Sequence, residues 1–357
     1  MTPAFFHREE EGLGTRLLLS PLALGEVLYR SAVRRRLRLY EAGRFHRTRA
    51  EVPVISVGNL AVGGAGKTPI VLFLAERLSQ RGRRVAILSL GYGRKERASR
   101  RVRPEDSARV AGDEPLLLAR RCPEARVYVG QRRDLLAHRA VEEGAEILLL
   151  DDGFQYFALE RDLDLVVLDG GSPLGNGRLL PRGPLREEVS ALARADLCWL
   201  SKVDEGRAEA VEAAARLAHA HTGLWPIRSR YRVAGLFRAD LRTRVEAMGL
   251  GPVFLFAGLA RPSSFQKTVT SLGLEIAGAS FYADHQDFSA RELRRIFERA
   301  ERAGARHLIC TEKDAVRLPL ELAEDPRILV LRIEVEIVEG KERLDALLER
   351  LAGGSAA

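Results

Sequence analysis

Only three cysteines, Cys122, Cys198 and Cys310, occur in the 357 residues, and no two of them form a CxxC pair. That excludes a disulfide framework and a cysteine-built zinc site; the three read as reduced core residues of a cytosolic protein. Lysine is scarce as well, six of the 57 basic residues, so arginine richness is partly a chain-wide bias and no single arginine is diagnostic. No aromatic stacking platform or recognised binding motif accompanies the basic charge, and a nucleic-acid partner is not expected. The apolar run near the N-terminus is far shorter than the ~20 residues that span a bilayer. The acidic stretch Glu9, Glu10 and Glu11 does not suit the basic start of a cleavable signal peptide, and none is expected.

What is present is ample apolar content, 46%, over a length that favours two α/β units. The net charge of +8 is unevenly placed: residues 30–49 hold eight arginines and one acid, Glu41. Ser20-Pro21 reads as an N-cap followed by proline at the first helical position, and a helix is expected from there to about Gly43. Tyr29, Val33, Leu37 and Tyr40 share one stripe, with Arg30, Arg34, Arg35 and Arg38 beside or opposite it. Such a basic amphipathic helix suits a membrane interface rich in anionic lipid. It equally suits packing on the protein's own core with a solvated basic face, and composition does not separate the two.

Residues 52–69, VPVISVGNLAVGGAGKTP, read as a buried strand, a glycine-rich turn and a helix start. Gly63, Gly64 and Gly66, with Ala65 between them, can turn backbone N–H groups toward phosphate oxygens. Lys67 reaches the outer phosphates, Thr68 offers a hydroxyl to Mg²⁺, and the helix start adds its positive dipole end. One departure from the strict phosphate-loop pattern is Ala61, where glycine is expected. Downstream, strands are expected at 83–90, 126–130, 146–151, 164–169 and 196–201, with helices at 67–81, 131–143 and 207–221. The alternation predicts a parallel sheet flanked by helices. A short strand-like connector follows at 225–244. A second alternating set has strands at 253–257, 275–281, 307–311 and 328–333 and helices from 263 and over 289–303. The expected organisation is an N-terminal interface helix (1–48), a P-loop NTPase-like nucleotide-binding domain (49–224), the connector, and a smaller C-terminal α/β domain (245–357).

Several side chains could carry chemistry. An apolar strand ends in Asp151-Asp152; in phosphate-loop enzymes such a strand brings carboxylates to Mg²⁺, which accepts one or two plus phosphate oxygens. Asp113 precedes a leucine-rich helix, and taken alone it reads as a cap. His285, between Asp284 and Gln286 on a loop, could take a proton from a hydroxyl, although lone histidines seldom do. Ser201-Lys202-Val203-Asp204 imitates the guanine-reading NKxD of GTPases with serine for asparagine, a weak match. The glycine loop also resembles that of partner-regulated ATPases, but Val62 stands where their signature lysine would be. A partner-regulated ATPase or GTPase switch is nonetheless the alternative to an enzyme.

In order, Val57-Gly58-Asn59, Val62-Gly63-Gly64, Gly66-Lys67-Thr68-Pro69, Gly91-Tyr92-Gly93-Arg94, Gly112-Asp113-Glu114-Pro115, Asp151-Asp152-Gly153-Phe154-Gln155, Gly175-Asn176-Gly177-Arg178-Leu179-Leu180-Pro181, Gly183-Pro184-Leu185-Arg186-Glu187, Phe256-Ala257-Gly258, Asp284-His285 and Thr311-Glu312-Lys313-Asp314-Ala315 resemble the tetraacyldisaccharide 4′-kinases, the lipid A 4′-kinases. The family often has arginine at Leu90, and usually histidine at Tyr156 and at Gln286, which puts any role of those replaced side chains in doubt. The resemblance implies transfer of the ATP γ-phosphate, with Mg²⁺, to the 4′-hydroxyl of a tetraacyldisaccharide 1-phosphate. It implies that Asp113 and His285 form the proton-abstracting pair, assembled when two domains close over nucleotide. It puts Tyr92, Glu114, Gln155, Arg186 and Glu187 near substrate or metal, and it favours the membrane for the N-terminal helix: a peripheral enzyme on the cytoplasmic face of the inner membrane, working on a glycolipid acceptor.

Overall fold

A computed structural model describes residues 20–259, 262–283 and 288–353. In chain order the main elements are α1 (Ser20–Glu41), β1 (Val54–Asn59), α2 (Lys67–Gln80), β2 (Val85–Ser89), β3 (Arg100–Val102), α3 (Asp113–Arg121), β4 (Arg126–Val129), α4 (Arg133–Glu142), β5 (Ile147–Asp151), β6 (Leu163–Asp169), β7 (Leu197–Ser201), α5 (Ala208–Thr222), β8 (Ile227–Arg238), β9 (Arg244–Val245), β10 (Val253–Gly258), α6 (Pro262–Thr270), β11 (Ile276–Tyr282), α7 (Ala290–Arg302), β12 (His307–Thr311), β13 (Ile328–Glu339) and α8 (Lys341–Gly353). The expected alternation is therefore observed, and the fold is α/β with a mostly parallel sheet flanked by helices.

The chain divides into two compact units that are not contiguous in sequence. One holds Gly91–Pro123 together with Tyr231–Glu334; the other, which carries the glycine loop, holds the described residues up to Leu90, Glu124–Arg230 and the described residues from Val335. The expected boundaries differ from this. Gly91–Pro123 leaves the stretch 49–224 because its side chains pair far down the chain: Asp113 with Arg317, Glu114 with Lys313 and Arg121 with Glu312. At the other end α8 joins the loop-bearing unit, where Asp345 accepts from Arg81 at 2.8 Å and from Arg77 at 2.5 Å, both at the end of α2. The segment 225–244 is not a short connector but chiefly one long strand, β8, and β13 likewise runs past its expected end. Both β3 and α8 are elements that periodicity did not single out.

In the loop-bearing unit the strand order is β8-β7-β6-β1-β5-β2-β4, with parallel registers throughout. Every residue of β1, β2, β5 and β7 is buried. Strands covered on both faces read as continuous apolar runs rather than alternating ones, as Leu148-Leu149-Leu150 does. The core includes Trp199, fully buried, whose indole N–H donates to the Ser229 hydroxyl at 2.8 Å, so the large apolar ring is enclosed without an unsatisfied donor. Because β1 lies between β5 and β6, the loop that follows it meets the carboxyl ends of its neighbours. Open parallel sheets bind ligands at that edge.

The second unit orders β11-β10-β12-β13-β8, with β9 antiparallel on β8. Its helix α7 starts with a capping box: the Ser289 hydroxyl accepts from the Glu292 N–H, and the Glu292 carboxylate accepts from the Ser289 N–H. Leu293, Ile296, Phe297 and Ala300 form its buried stripe.

Candidate active site

The glycine loop lies between the end of β1 and the first residue of α2, Lys67. Gly66 is left-handed at φ 82, a conformation that costs glycine nothing and turns the chain sharply into the helix. Ala61 needs no glycine: it is absent from the positive-φ residues and forms an antiparallel bridge with Leu185. On either side of that bridge the Val62 N–H donates to the Pro184 carbonyl at 2.8 Å and the Arg186 N–H to Leu60 at 2.7 Å. The Gly183-Pro184-Leu185-Arg186 motif thus holds the front of the loop. Gly58 is required for a different reason, since a Cβ there would fall 2.4 Å from the Cβ of Phe154. Within the loop Gly64 faces solvent, Ala65 is buried, and Thr68 in the first turn of α2 is 5% exposed.

Charge gathers beside the loop. Lys67 Nζ lies 3.4 Å from Asp152 Oδ1, and Arg186 Nη1 donates to both oxygens of the same carboxylate at 3.0 and 2.9 Å. Burial raises the Asp152 pKa, but Lys67, Arg186 and Arg133 overcome that and hold it below the ordinary aspartate value. Its neighbour Asp151 is buried at the end of β5, where Oδ2 accepts from the Ser89 hydroxyl at 2.9 Å. The two carboxylates expected to act alike therefore have different surroundings. Gln155 bridges the Asn59 carbonyl and Glu187, both at 3.0 Å, and Glu187 is itself buried against Arg194. The observed contacts of Glu187 are thus to Gln155 and Arg194.

Sequence reasoning overlooked Arg133. Buried at the start of α4, it donates from Nη1 to the carbonyls of Asp151 at 2.8 Å and Asp152 at 3.2 Å. It thereby supports the turn in which Asp152 adopts a left-handed φ of 51°. Its guanidinium lies 4.2 Å from the centroid of Tyr156, whose hydroxyl donates to Asp134 at 2.5 Å. The Tyr156 side chain thus has an observed role, as a prop for Arg133. No periodicity or motif signal marks Arg133; only its position near the start of an expected helix is visible in sequence.

Among the described residues Asp113, Tyr92 and Glu114 belong to the other unit. Asp113 does not cap α3: the N-cap is Gly112, with φ 88, and no side-chain cap is made. Instead its Oδ2 accepts from Nε and Nη2 of Arg317, both at 2.7 Å, and the Arg317 side chain is only 1% exposed. Asp314, fully buried, lies 3.8 Å from the same guanidinium and is fixed in turn by the Thr311 hydroxyl and the Gly258 N–H. The Thr311–Ala315 motif and Phe256-Ala257-Gly258 are therefore the support of an arginine that grips Asp113. Glu114 pairs with Lys313 at 3.1 Å, and Tyr92 is 79% exposed. His285 lies outside the described residues. Asp113 groups with β11 and α7 in one compact unit.

The donor set suits a magnesium ion. Thr68 stands in the first turn of α2, and β1 pairs with β5, which ends at Asp151 with Asp152 directly after it. No group of three or more acidic, histidine or cysteine side chains placed to hold a metal ion is found among the described residues. Magnesium needs no such cage, since it keeps waters and substrate phosphates as ligands beside one or two carboxylates.

α1 is fastened to the loop-bearing unit. Arg34 makes two hydrogen bonds to Glu188, each 2.9 Å, and the buried Glu26 accepts from the Leu179 N–H at 3.3 Å. Arg30 and Arg34 are thus partly occupied by the protein itself. By contrast Leu24, Val27 and Leu28, at helical spacing, are 68%, 54% and 64% exposed. Ser31, Arg34, Arg35, Arg38 and Arg44 line a concavity of about 470 Å³ further along. No helix among the described residues is long and apolar enough to cross a membrane.

The profile of the tetraacyldisaccharide-1-P 4′-kinases matches residues 15–352. A tetraacyldisaccharide 4′-kinase of Anaeromyxobacter sp. (strain Fw109-5) is 48% identical over 350 residues, 94% of each chain. That of Geobacter sulfurreducens is 40% identical over 324 residues, 88% of each. Among solved structures, the LpxK of Aquifex aeolicus in complex with ATP aligns over 94% of this chain and 99% of its own, with a TM-score of 0.76 and 31% identity. With the ordered motifs, the phosphate-type loop and the α/β fold all in agreement, the chain belongs to the tetraacyldisaccharide-1-P 4′-kinase family.

Proposed function

We propose that this chain transfers the γ-phosphate of ATP to the 4′-hydroxyl of a tetraacyldisaccharide 1-phosphate, working peripherally on the cytoplasmic face of the inner membrane. The observation that carries the proposal is the loop of residues 63–68 leading into α2, with Lys67, Asp152 and Arg186 in one charge cluster, in a chain of this family. Gly63, Gly64 and Gly66 turn backbone N–H groups to phosphate oxygens, and Ala65, whose N–H closes on the Gly63 carbonyl, forms the turn between them. Lys67 leaves its resting ion pair with Asp152 for the outer phosphates, and Arg186 keeps Asp152 oriented when it does. Thr68, Asp151 and Asp152 would hold Mg²⁺. When bound, that ion neutralises charge on the phosphate oxygens. Asp113, gripped by Arg317, orients His285 as it takes the proton of the attacking hydroxyl, a help worth typically 10²–10⁴-fold. Gln155 aligns Arg186, while Tyr92 and Glu114 stand as substrate contacts on the strength of the family motifs. Labelled ATP and disaccharide 1-phosphate offered in mixed micelles test the whole reading: labelled lipid is expected, and its absence in a folded, ATP-binding preparation overturns it.

The acceptor carries four acyl chains, so the enzyme meets it at a surface. Leu24, Val27 and Leu28 offer an apolar stripe and Arg35, Arg38 and Arg44 a basic flank, a combination suited to an anionic interface. Nothing in this reading calls for nucleic acid. Substituting both Leu24→Glu and Leu28→Glu leaves the Arg34–Glu188 fastening in place. Each leucine contributes roughly 1.5 kcal/mol or more when buried, so partitioning onto phosphatidylglycerol vesicles should fall about a hundredfold or more with ATP affinity unchanged. Vesicle binding equal to that of the unmodified chain would return α1 to a packing role alone.

A further inference from the structure

The Ser201-Lys202-Val203-Asp204 segment, which imitates a guanine reader in sequence, meets the glycine loop through its first two residues. The fully buried Ser201 hydroxyl donates to the Ala65 carbonyl at 2.8 Å, and Lys202 Nζ donates to the Gly64 carbonyl at 2.7 Å. Nζ also meets Asp169 Oδ2 at 2.7 Å, and the other oxygen of Asp169 accepts from the Gly171 N–H at 2.9 Å. Lys202 has a left-handed φ of 51°, unusual for a residue with a side chain, and the neighbouring backbone is tightly apposed: a Cβ on Gly170 would fall 2.7 Å from the Ser201 carbonyl oxygen. These residues sit at the carboxyl ends of the paired strands β6 and β7.

We propose that Lys202, braced by Asp169 and aided by Ser201, is a positioning residue that shapes the glycine loop for phosphate. In a trans peptide the C=O and N–H point in opposite directions. With the Ala65 carbonyl drawn to Ser201, the Gly66 N–H is turned the other way, free to meet an anion at the start of α2. With the Gly64 carbonyl drawn to Lys202, the Ala65 N–H closes on the Gly63 carbonyl at 3.0 Å and tightens the turn. Both carbonyl oxygens, which would repel phosphate, are thereby held by donors. The Asp169 carboxylate neutralises the ammonium, so Lys202 acts as a strut and not as a further cation for the nucleotide. The proposal rests on the reading that this loop takes the phosphates of ATP.

Lys202→Met, which keeps the aliphatic stem, tests it in the full chain with three constants: KM for ATP, KM for the glycolipid acceptor, and the inhibition constant of inorganic tripolyphosphate. Loss of a charge-assisted hydrogen bond should raise the ATP KM about tenfold and the tripolyphosphate constant by the same factor, with the acceptor KM unmoved. Asp169→Asn should act in the same direction, and the double variant should lose less than the product of the two single effects. An ATP KM within twofold of the unmodified enzyme overturns the proposal. So does a weakening of ATP with none for tripolyphosphate, which would place Lys202 against the base or ribose. Should Lys202→Met not fold, Ser201→Ala reads the same constants with the same expected direction. An unmodified enzyme that tripolyphosphate does not inhibit and that does not bind ATP would instead remove the underlying reading of the loop.

Discussion

Lys67→Met should leave a folded protein whose turnover with ATP is about 10³-fold below that of the unmodified chain. Removing one preorganised donor aimed at developing charge typically costs 10²–10³-fold, and a full cation over the transferring phosphoryl group belongs at the upper end of that range. The fold should tolerate the change because Asp152 keeps Arg186 on both oxygens and Arg133 still supports the backbone of its turn. A thermal melt within a few degrees of the unmodified chain together with the lost turnover is the expected pair of results. Turnover within tenfold of normal would take Lys67 out of the phosphate site. The pH dependence of the cluster has a definite sign. The Asp152 pKa is depressed in the folded state, so its contribution to stability is present above the ordinary aspartate value and is lost as pH falls through the depressed one.

Asp113→Asn should lower kcat by roughly 10²–10⁴-fold, the ordinary worth of general acid–base help, with the KM for ATP little changed. Asparagine retains an oxygen able to accept from Arg317, so the grip on the side chain survives while its charge does not. Arg317 is left with Asp314 at 3.8 Å as its remaining anionic neighbour of the two, and removing one partner of a buried pair can cost several kcal/mol. Rates must therefore be compared well below the melting temperature of the variant. A variant that is destabilised yet turns over normally would reduce Asp113 to a structural partner of Arg317. His285→Ala provides the companion measurement, with a comparable loss of kcat expected on the same reading.

The sheet was legible because parallel strands buried on both faces are written as unbroken apolar runs; 147–150 and 197–200 need no long-range information to be recognised. The loop was legible because glycine, lysine and threonine at fixed spacing after such a run serve one kind of chemistry. The unit boundaries were not. That Gly91–Pro123 groups with the second half depends on arginines such as Arg317, distant in sequence and surrounded by others of identical local appearance. Arg133 escaped notice, and Lys202 was legible only as part of a weak guanine-reader match, for a related reason: each acts on backbone carbonyls, which every residue has, so no complementary residue type marks those contacts. Asp151 and Asp152 looked equivalent at a strand end, whereas a left-handed turn sends their carboxylates to a serine in one case and to two cations in the other.

Tyr156 has a consequence for acidification. A histidine there would change charge between about pH 5 and 8. It would place that change against the guanidinium of Arg133 and, through it, against the carbonyls that shape the Asp152 turn. A phenol has no such transition, and burial together with the Asp134 hydrogen bond pushes its pKa above the ordinary tyrosine value. Tyr156 is consequently silent to proton concentration across the physiological range, and the contact it makes beneath Arg133 does not change charge there.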